Sequence, residues 1–171
     1  QICVIDCRAA AGAMVLLIRR AQALMEAAGD DGDFDALCQQ LHRYQATLRT
    51  CFTLENFDNL IKNGRMRPIV GTLLRSLGIH IIADATAEGT IHVADKARGV
   101  GKTYRAITAL MKASKDCTDA EVVISHCENL EGAMALKRQI LADLPVKQVD
   151  LLSCRGLTSF YAMEKGLIVG N

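Results

Sequence analysis

Residues 79–94 read IHIIADATAEGTIHVA, and this stretch decides the fold. Two mostly apolar runs, 79–83 and 90–94, flank the turn residues Ala87, Glu88 and Gly89, a pattern typical of a β-hairpin. On both sides of the hairpin the chain alternates strand-like and helix-like segments, which indicates an α/β protein. Because the strands of a hairpin are antiparallel, the sheet should be mixed and not purely parallel. The sequence therefore predicts an α/β fold with a mixed β-sheet and helices on both faces.

The remaining elements are predicted from hydrophobic spacing, helix caps and breakers. Helices are predicted over residues 12–28, 33–48, 56–62, 68–77, 101–114, 130–144 and 158–164, and strands over residues 2–5, 50–54, 121–125, 146–151 and 166–169. Asn63 and Gly64 end the third helix, and Pro68 begins the fourth, at a position that needs no backbone N–H. The strand at 2–5 has the pattern of a buried strand, although it follows directly on Gln1. A chain that opens in this way leads us to expect that upstream sequence is missing.

The composition is that of a folded, soluble protein. Of 171 residues, 50% are apolar and 23% are charged, and the formal net charge is +1. A charge so near zero gives no bulk attraction for nucleic acid or for an anionic membrane. With no Trp, three Tyr and four Phe, platforms for stacking bases are not expected either. The longest uncharged apolar run, residues 9–18, is too short to cross a bilayer, which needs roughly 20 residues.

The cysteines exclude two further classes of site. They are irregularly spaced, without any CxxC pair, and they are odd in number: Cys3, Cys7, Cys38, Cys51, Cys117, Cys127 and Cys154. This pattern is typical neither of a disulfide framework nor of a zinc site. We therefore expect reduced thiols in a cytoplasmic protein and no bound metal.

Residues 99–103 read GVGKT, which resembles the end of a phosphate-binding P-loop. The full pattern needs a glycine where Lys96 stands, and residues 95–98 are charged and unlike the end of a buried strand. A glycine-containing loop at the start of a helix is the favoured interpretation, and an ATP-binding enzyme is the less favoured one. Metal-ligand spacing is also lacking among the four histidines, His42, His80, His92 and His126. The sequence predicts no catalytic residues and no cofactor, and the protein is not expected to be an enzyme.

Two groups of basic residues have a possible binding role. Residues 62–68 read KNGRMRP, where a helix start and a guanidinium group would together form a small anion site. A solvated basic loop is an equally favoured interpretation of this stretch. The second group follows the hairpin and is favoured as a solvated face: Lys96, Arg98, Lys102 and Arg105.

Six short segments occur in order along nearly the whole chain: 4–7 (VIDC), 60–66 (LIKNGRM), 72–79 (TLLRSLGI), 96–99 (KARG), 123–137 (beginning VISHC) and 155–161 (RGLTSFY). Their order and spacing resemble the DegV family of bacterial fatty-acid-binding proteins. In that family the first segment reads VIDS and the second LxxGGRI, so Cys7 replaces a serine here and Asn63 replaces the first glycine. The last segment resembles a branch of the family that lacks the commoner HxGPG motif.

The resemblance implies a protein that binds a long-chain fatty acid in an apolar tunnel and presents the carboxylate to a separate fatty acid kinase. It implies that the binding protein catalyses no reaction itself. It places Arg65 and Cys7 on the side of the lipid head group and matches Lys96 and Arg98 to the face that docks the kinase. It places five residues along the lipid tail: Leu73, Leu74, Leu77, Ile79 and Phe160.

The family also carries an upstream region whose two hydroxyl-bearing motifs hold the fatty acid carboxylate, and this chain has no such region. We therefore expect it to correspond to a C-terminal portion only, a single DegV-type region over residues 1–171. Within it, residues 1–63 are expected to pack on a missing amino-terminal half, and residues 64–171 to form the mixed-sheet domain for the lipid tail. Such a fragment should bind fatty acid more weakly than the complete protein. The alternative is a structural or interaction domain with no ligand of its own.

Overall fold

A six-stranded mixed β-sheet lies at the centre of this computed structural model, which describes residues 1–30, 32–67 and 78–171. The strands are β1 (Thr50–Leu54), β2 (Ile79–Ala85), β3 (Ile91–Arg98), β4 (Glu121–His126), β5 (Gln148–Ser153) and β6 (Leu167–Gly170). The helices of the described residues are α1 (Gly12–Ala28), α2 (Phe34–Thr47), α3 (Asp58–Lys62), α4 (Val100–Ser114), α5 (Leu130–Asp143) and α6 (Gly156–Ala162). The strand order in the sheet is β3-β2-β1-β6-β4-β5.

The predicted hairpin is confirmed, and it makes the sheet mixed. Strands β2 and β3 are antiparallel, with His80 opposite Ala97 and a shift of register between Ile82 and Ala83. Strand β1 is antiparallel to β2 and to β6, and β6 is antiparallel to β4. Strands β4 and β5 are parallel and are joined by α5, since a parallel pair needs a crossover connection.

Successive side chains of the strands point to opposite faces of the sheet, and helices cover both faces. In β1, for example, Cys51 belongs to the core beneath α4 and α5, whereas Phe52 packs on the other side. The first side, which we name the α4–α5 face, buries the larger core: Ile82, Ile107, Val122, Ile124, Leu136, Ile140, Val149, Leu167 and Val169. The second side, which we name the α1–α6 face, packs against α1, α3 and α6 through Ala13, Leu16, Leu60, Ile81, Val123, Ala162 and Ile168. The prediction of helices on both faces is confirmed.

Helix α1 lies directly on the backbone of the sheet because glycines meet at the contact. A Cβ atom on Gly170 of β6 would lie 2.5 Å from the carbonyl carbon of Gly12. A Cβ atom on Gly12 would collide with the carbonyl oxygen of Val123 in β4. Ala13 and Val123 are fully buried at this contact. The start of α1 is thereby fixed, and with it the chain segment that precedes the helix.

The predicted strand over residues 2–5 is wrong, since residues 1–10 form neither helix nor strand. None of the described strands pairs with this segment, and Ile2 and Val4 are therefore 91% and 84% exposed. The predicted helix over residues 68–77 lies outside the described residues. The proposed division between residues 63 and 64 stays a prediction, although β1 of the first part pairs in the sheet with β2 and β6 of the second.

Candidate functional site

A cavity of about 610 Å³ lies on the α1–α6 face of the sheet. Strands β1 and β6 contribute Phe52, Leu54 and Ile168 to it, and all three belong to the core of this face. Further apolar walls come from α3, β3 and α6 through Leu60, Ile91, Leu157, Tyr161 and Ala162. A cavity of this size with largely apolar walls suits a small organic ligand that has a hydrocarbon part.

Charged groups from two loops meet at the border of the cavity. Arg8, which precedes α1, donates through Nη1 to the carbonyl oxygen of Ala87 in the hairpin turn at 3.1 Å. Its Nε lies 3.4 Å from a carboxylate oxygen of Asp6. In the same turn, hydrogen bonds from the Thr86 hydroxyl and from its own backbone N–H hold the pKa of Glu88 below its usual range. The segment before α1 and the hairpin turn are thus tied together beside the cavity.

Arg65 borders the cavity because α3 ends just before it. Gly64 has a φ of 68°, and the N–H of Arg65 donates to the carbonyl oxygen of Leu60 at 2.8 Å, which closes the helix end. Met66 is buried in the core of the α1–α6 face, so the backbone is fixed on both sides of Arg65, whose side chain is exposed. The predicted end of this helix at Asn63 and Gly64 is confirmed.

Cys7 borders the same cavity as Arg65. Its carbonyl oxygen accepts a hydrogen bond from Nε2 of Gln45 in α2 at 3.2 Å, and its thiol donates to the carbonyl oxygen of Ala9 at 3.2 Å. The fold therefore brings together two residues, far apart in the sequence, that are both predicted to lie on the head-group side. Their role toward a ligand stays a prediction.

The residues predicted along the lipid tail are only partly described. Three of them lie outside the described residues: Leu73, Leu74 and Leu77. Ile79 is half-buried at the start of β2, and Phe160 is 46% exposed on α6. Neither is among the described residues that line the cavity. The ring of Phe160 contacts that of Tyr161 edge-on, with 5.1 Å between centroids, and Tyr161 lines the cavity in its place.

The residues predicted to dock a partner, Lys96 and Arg98, are exposed on β3 at the edge of the sheet. They stand opposite Ile81 and Ile79 of β2 in the strand register. Neither is among the described residues that line the cavity, so a role in binding the partner would be separate from a role in holding the ligand. The docking role stays a prediction.

The GVGKT segment forms an ordinary helix start. Gly99 has a φ of 83° directly before α4, and the Thr103 hydroxyl donates to the carbonyl oxygen of Gly99 at 3.1 Å.

Across residues 1–30, 32–67 and 78–171, no group of three or more His, Cys, Asp or Glu side chains could hold a metal ion. In the same ranges, no helix has both the length and the apolar character that crossing a membrane requires.

The sequence prediction missed most of the apolar walls of the cavity, including Phe52, Leu157, Tyr161 and Ile168. Strand alternation was the signal for Phe52 and Ile168, because each lies between neighbours that point to the other face. No comparable signal distinguishes Leu157 from Phe160, which lie on one short helix.

Comparison with known proteins identifies the family. The family model described as uncharacterised protein, DegV family, matches residues 1–165 of this chain. The chain belongs to the DegV family. A DegV domain-containing protein of Streptococcus gordonii is 31% identical over 168 residues, which are 98% of this chain and 58% of that protein.

Solved structures of DegV proteins share the fold. A DegV family protein of Ruminococcus gnavus with vaccenic acid has a TM-score of 0.90 and 29% identity, covering 100% of this chain and 60% of its own. The fatty acid kinase (Fak) B3 protein of Streptococcus pneumoniae, loaded with linoleic acid, has a TM-score of 0.89 and 31% identity, covering 99% of this chain and 59% of its own. This chain therefore spans about three-fifths of the length of these DegV relatives. The matches give the share of each relative that this chain covers, but not which part of the relative it is. They therefore do not bear out the expectation that the chain corresponds to a C-terminal portion only.

Proposed function

We propose that this DegV protein binds a long-chain fatty acid in the cavity on the α1–α6 face and presents its carboxylate to a separate fatty acid kinase. The observation that carries the proposal is that Arg65 and Cys7 line a largely apolar cavity of about 610 Å³. The Ruminococcus and Streptococcus relatives, solved with vaccenic and linoleic acid, support it.

The hydrocarbon tail supplies most of the binding free energy. Each methylene removed from water contributes about 0.8 kcal/mol, so about ten of them contribute roughly 8 kcal/mol before the entropic cost of binding. Phe52, Leu54 and Ile168 offer the apolar surface that this burial requires. The apolar walls thus determine the affinity for the tail, and because apolar burial has no preferred direction they accept tails that differ in structure.

Arg65 orients the carboxylate at the border of the cavity. A guanidinium group and a carboxylate form charge-assisted hydrogen bonds of defined geometry. Because Arg65 is exposed, the pair adds only about 1 kcal/mol to binding, which corresponds to roughly a fivefold change in affinity. The larger effect falls on the phosphorylation step, which needs the carboxylate in one place. The chemistry itself belongs to the kinase, and the protein works in the cytoplasm as a carrier.

Lys96 and Arg98 meet the kinase on the exposed edge strand β3. Charges at the edge of an interface chiefly change association rates and their dependence on salt. Removing both should therefore slow association with the kinase and leave the bound lipid in place.

The experiment compares Arg65→Ala with the matched control Arg67→Ala, which is also exposed and is not among the described cavity-lining residues. Linoleate binding and phosphorylation by the kinase of the same organism are measured for both, and for a Lys96→Ala/Arg98→Ala double variant. We expect Arg65→Ala to lose phosphorylation more than binding, and the double variant to lose kinase association only. Loss of lipid in the double variant with kinase association intact would reverse the two assignments.

Two other functions give different results in the same preparation. A domain without a ligand of its own would bind no linoleate. An ATP-binding enzyme that uses the GVGKT segment would show a higher melting temperature with magnesium and ATP.

A further inference from the structure

Two cysteines lie side by side where the parallel strands β4 and β5 end. The register pairs His126 of β4 with Ser153 of β5. Cys127 and Cys154 directly follow these two residues. The backbone N–H of Cys154 donates to the carbonyl oxygen of His126 at 2.7 Å, which continues the hydrogen bonds of the parallel pair. Because neighbouring strands are about 4.8 Å apart, the Cα atoms of the two cysteines are placed at about that separation.

Both cysteine side chains lie on the α1–α6 face of the sheet. Cys127 and Cys154 pack against the core of this face, and both are partly exposed. The alternation of side chains along a strand agrees with this placement. Val123, four residues before Cys127, and Leu152, two residues before Cys154, belong to the core that α1 covers on the same face. The two thiols are therefore neighbours on one side of the sheet.

Backbone hydrogen bonds hold Cys127 in place on the side of β6. Its N–H donates to the carbonyl oxygen of Gly166 at 3.0 Å, and its carbonyl oxygen accepts from the N–H of Lys165 at 2.8 Å. Its thiol lies 4.0 Å from the carbonyl oxygen of Ser159 in α6. A disulfide joins Cα atoms that are about 4.4–6.8 Å apart, and the strand spacing falls within that range. The backbone is thus already arranged for a bond between the two sulfur atoms.

Other cysteines of the chain are placed differently. Cys51 and Cys117 are each 4% exposed in the core of the α4–α5 face, where cysteine acts as a small apolar residue. Partial exposure makes Cys127 and Cys154 accessible to a small oxidant. Neither is among the described residues that line the cavity proposed for the fatty acid. They also do not line a second cavity, of about 260 Å³, which lies on the α4–α5 face between the end of β1 and the first turns of α4 and α5.

We propose that Cys127 and Cys154 form a dithiol site that a hydroperoxide oxidises to a disulfide. With hydrogen peroxide, one sulfur attacks the O–O bond and becomes a sulfenic acid, and the first water leaves. The second sulfur then attacks the sulfenic sulfur, the S–S bond forms, and the hydroxyl group leaves with the remaining thiol proton as the second water. Two thiols and one hydrogen peroxide thus give one disulfide and two water molecules.

The surroundings of the thiols make this oxidation slow and its product persistent. Burial raises the pKa of Cys154 to about 11, with a contribution from the neighbouring Cys127, and burial raises the pKa of Cys127 as well. The thiolate, which is the attacking form, is therefore scarce at neutral pH. The same surroundings do not stabilise the reduced pair as thiolates, so they do not favour reduction of the disulfide.

The test treats the reduced protein with hydrogen peroxide, alkylates the remaining thiols and identifies tryptic peptides by mass spectrometry. Trypsin places Cys154 in the peptide 148–155 and Cys127 in the peptide 116–137. We expect these two peptides to be joined, with a mass equal to their sum less two hydrogens, and to separate after reduction.

The peptide 116–137 also contains Cys117, and variants decide which cysteine is joined. Cys127→Ser and Cys154→Ser, which keep nearly the same side-chain size, should each abolish the joined peptide. Cys117→Ala is the matched control and should leave it unchanged.

Thermal unfolding gives a second readout. The disulfide links chain positions separated by α5 and β5, and closing such a loop should raise the melting temperature by at least about 5 °C. Peroxide-treated Cys154→Ser should show no such rise. Absence of the joined peptide, its persistence in Cys127→Ser, or its loss in Cys117→Ala would each overturn the proposal. None of these readouts depends on the proposed fatty acid site.

Discussion

Replacing Gly170 by alanine should dislodge α1 from the sheet. The added Cβ atom would lie 2.5 Å from the carbonyl carbon of Gly12 and 2.7 Å from Cα of Ala13, and these backbone atoms cannot rotate away. Overpacking of a buried site typically costs about 1–3 kcal/mol, and a clash with backbone belongs at the upper end of that range. A loss of about 3 kcal/mol in a domain of this size lowers the melting temperature by roughly 6–12 °C. Fatty acid affinity should fall as well, because α1 fixes the segment that borders the cavity.

Gly101→Ala is the matched control for this substitution. Gly101 lies in the first turn of α4, where the nearest atom to an added Cβ is Nη1 of Arg105 at 3.9 Å. Alanine there should raise the free energy of unfolding by about 0.5–1 kcal/mol, since glycine is the weaker helix former. Urea unfolding followed by circular dichroism gives both values. A Gly170→Ala protein within about 0.5 kcal/mol of the unchanged one would refute the close approach of α1 to the sheet.

Three further outcomes are expected. Burial raises the pKa of the Cys51 thiol from 9.0 to about 12. The unfolded chain therefore loses the thiol proton more readily than the folded protein, so the free energy of unfolding should fall as the pH rises from 9 toward 12. Urea midpoints measured across this range should show the decrease in the unchanged protein and a smaller decrease in Cys51→Ala. Arg19→Ala removes a 2.6 Å ion pair with Asp150 between partly exposed side chains and should cost about 0.5–1 kcal/mol in the same assay, and less at high salt. Thr53→Val removes an unpaired buried hydroxyl and should raise the free energy of unfolding by about 1 kcal/mol, and a lower value would show that the hydroxyl is satisfied.

Local chemistry in the sequence was sufficient to locate most of the elements. Asp33 is a predicted start of α2, and its carboxylate accepts hydrogen bonds from the N–H groups of Asp35 and Ala36. Strand β1 is predicted over residues 50–54 and observed over Thr50–Leu54. Caps, breakers and turns are decided by neighbours in the sequence, and for that reason they can be predicted.

The segment at residues 2–5 shows where local pattern fails. Its apolar residues have the composition of a buried strand, but a strand also needs a partner with which to exchange backbone hydrogen bonds. None of the described strands supplies one, and Ile2 and Val4 are left exposed. Pairing is a property of the whole fold, and no feature of the four residues themselves determines it.

The candidate site was predictable only in part, and for a related reason. Arg65 and Cys7 were named from the family resemblance, and both border the cavity. Its walls could not be named in the same way. Alternation assigns Phe52 and Ile168 to one face of the sheet, but it does not say whether the helices above leave a space there. That depends on how α3, α6 and the segment before α1 pack against the sheet, which the alternation of a strand does not determine.

Strand β1 serves both cavities, and this follows from the two-residue period of a strand. Phe52 points to the α1–α6 face and borders the cavity proposed for the fatty acid, whereas Thr53 borders the cavity on the α4–α5 face. Leu54, at the end of the strand, borders both. A substitution at position 52 therefore changes the wall of one cavity, and a substitution at position 53 changes the wall of the other. Strand β6 lines both cavities in the same way, with Leu167 at the cavity on the α4–α5 face and Ile168 at the cavity on the α1–α6 face. Substitutions at positions 52 and 53 should consequently distinguish the two cavities, whereas a substitution of Leu54 should alter both.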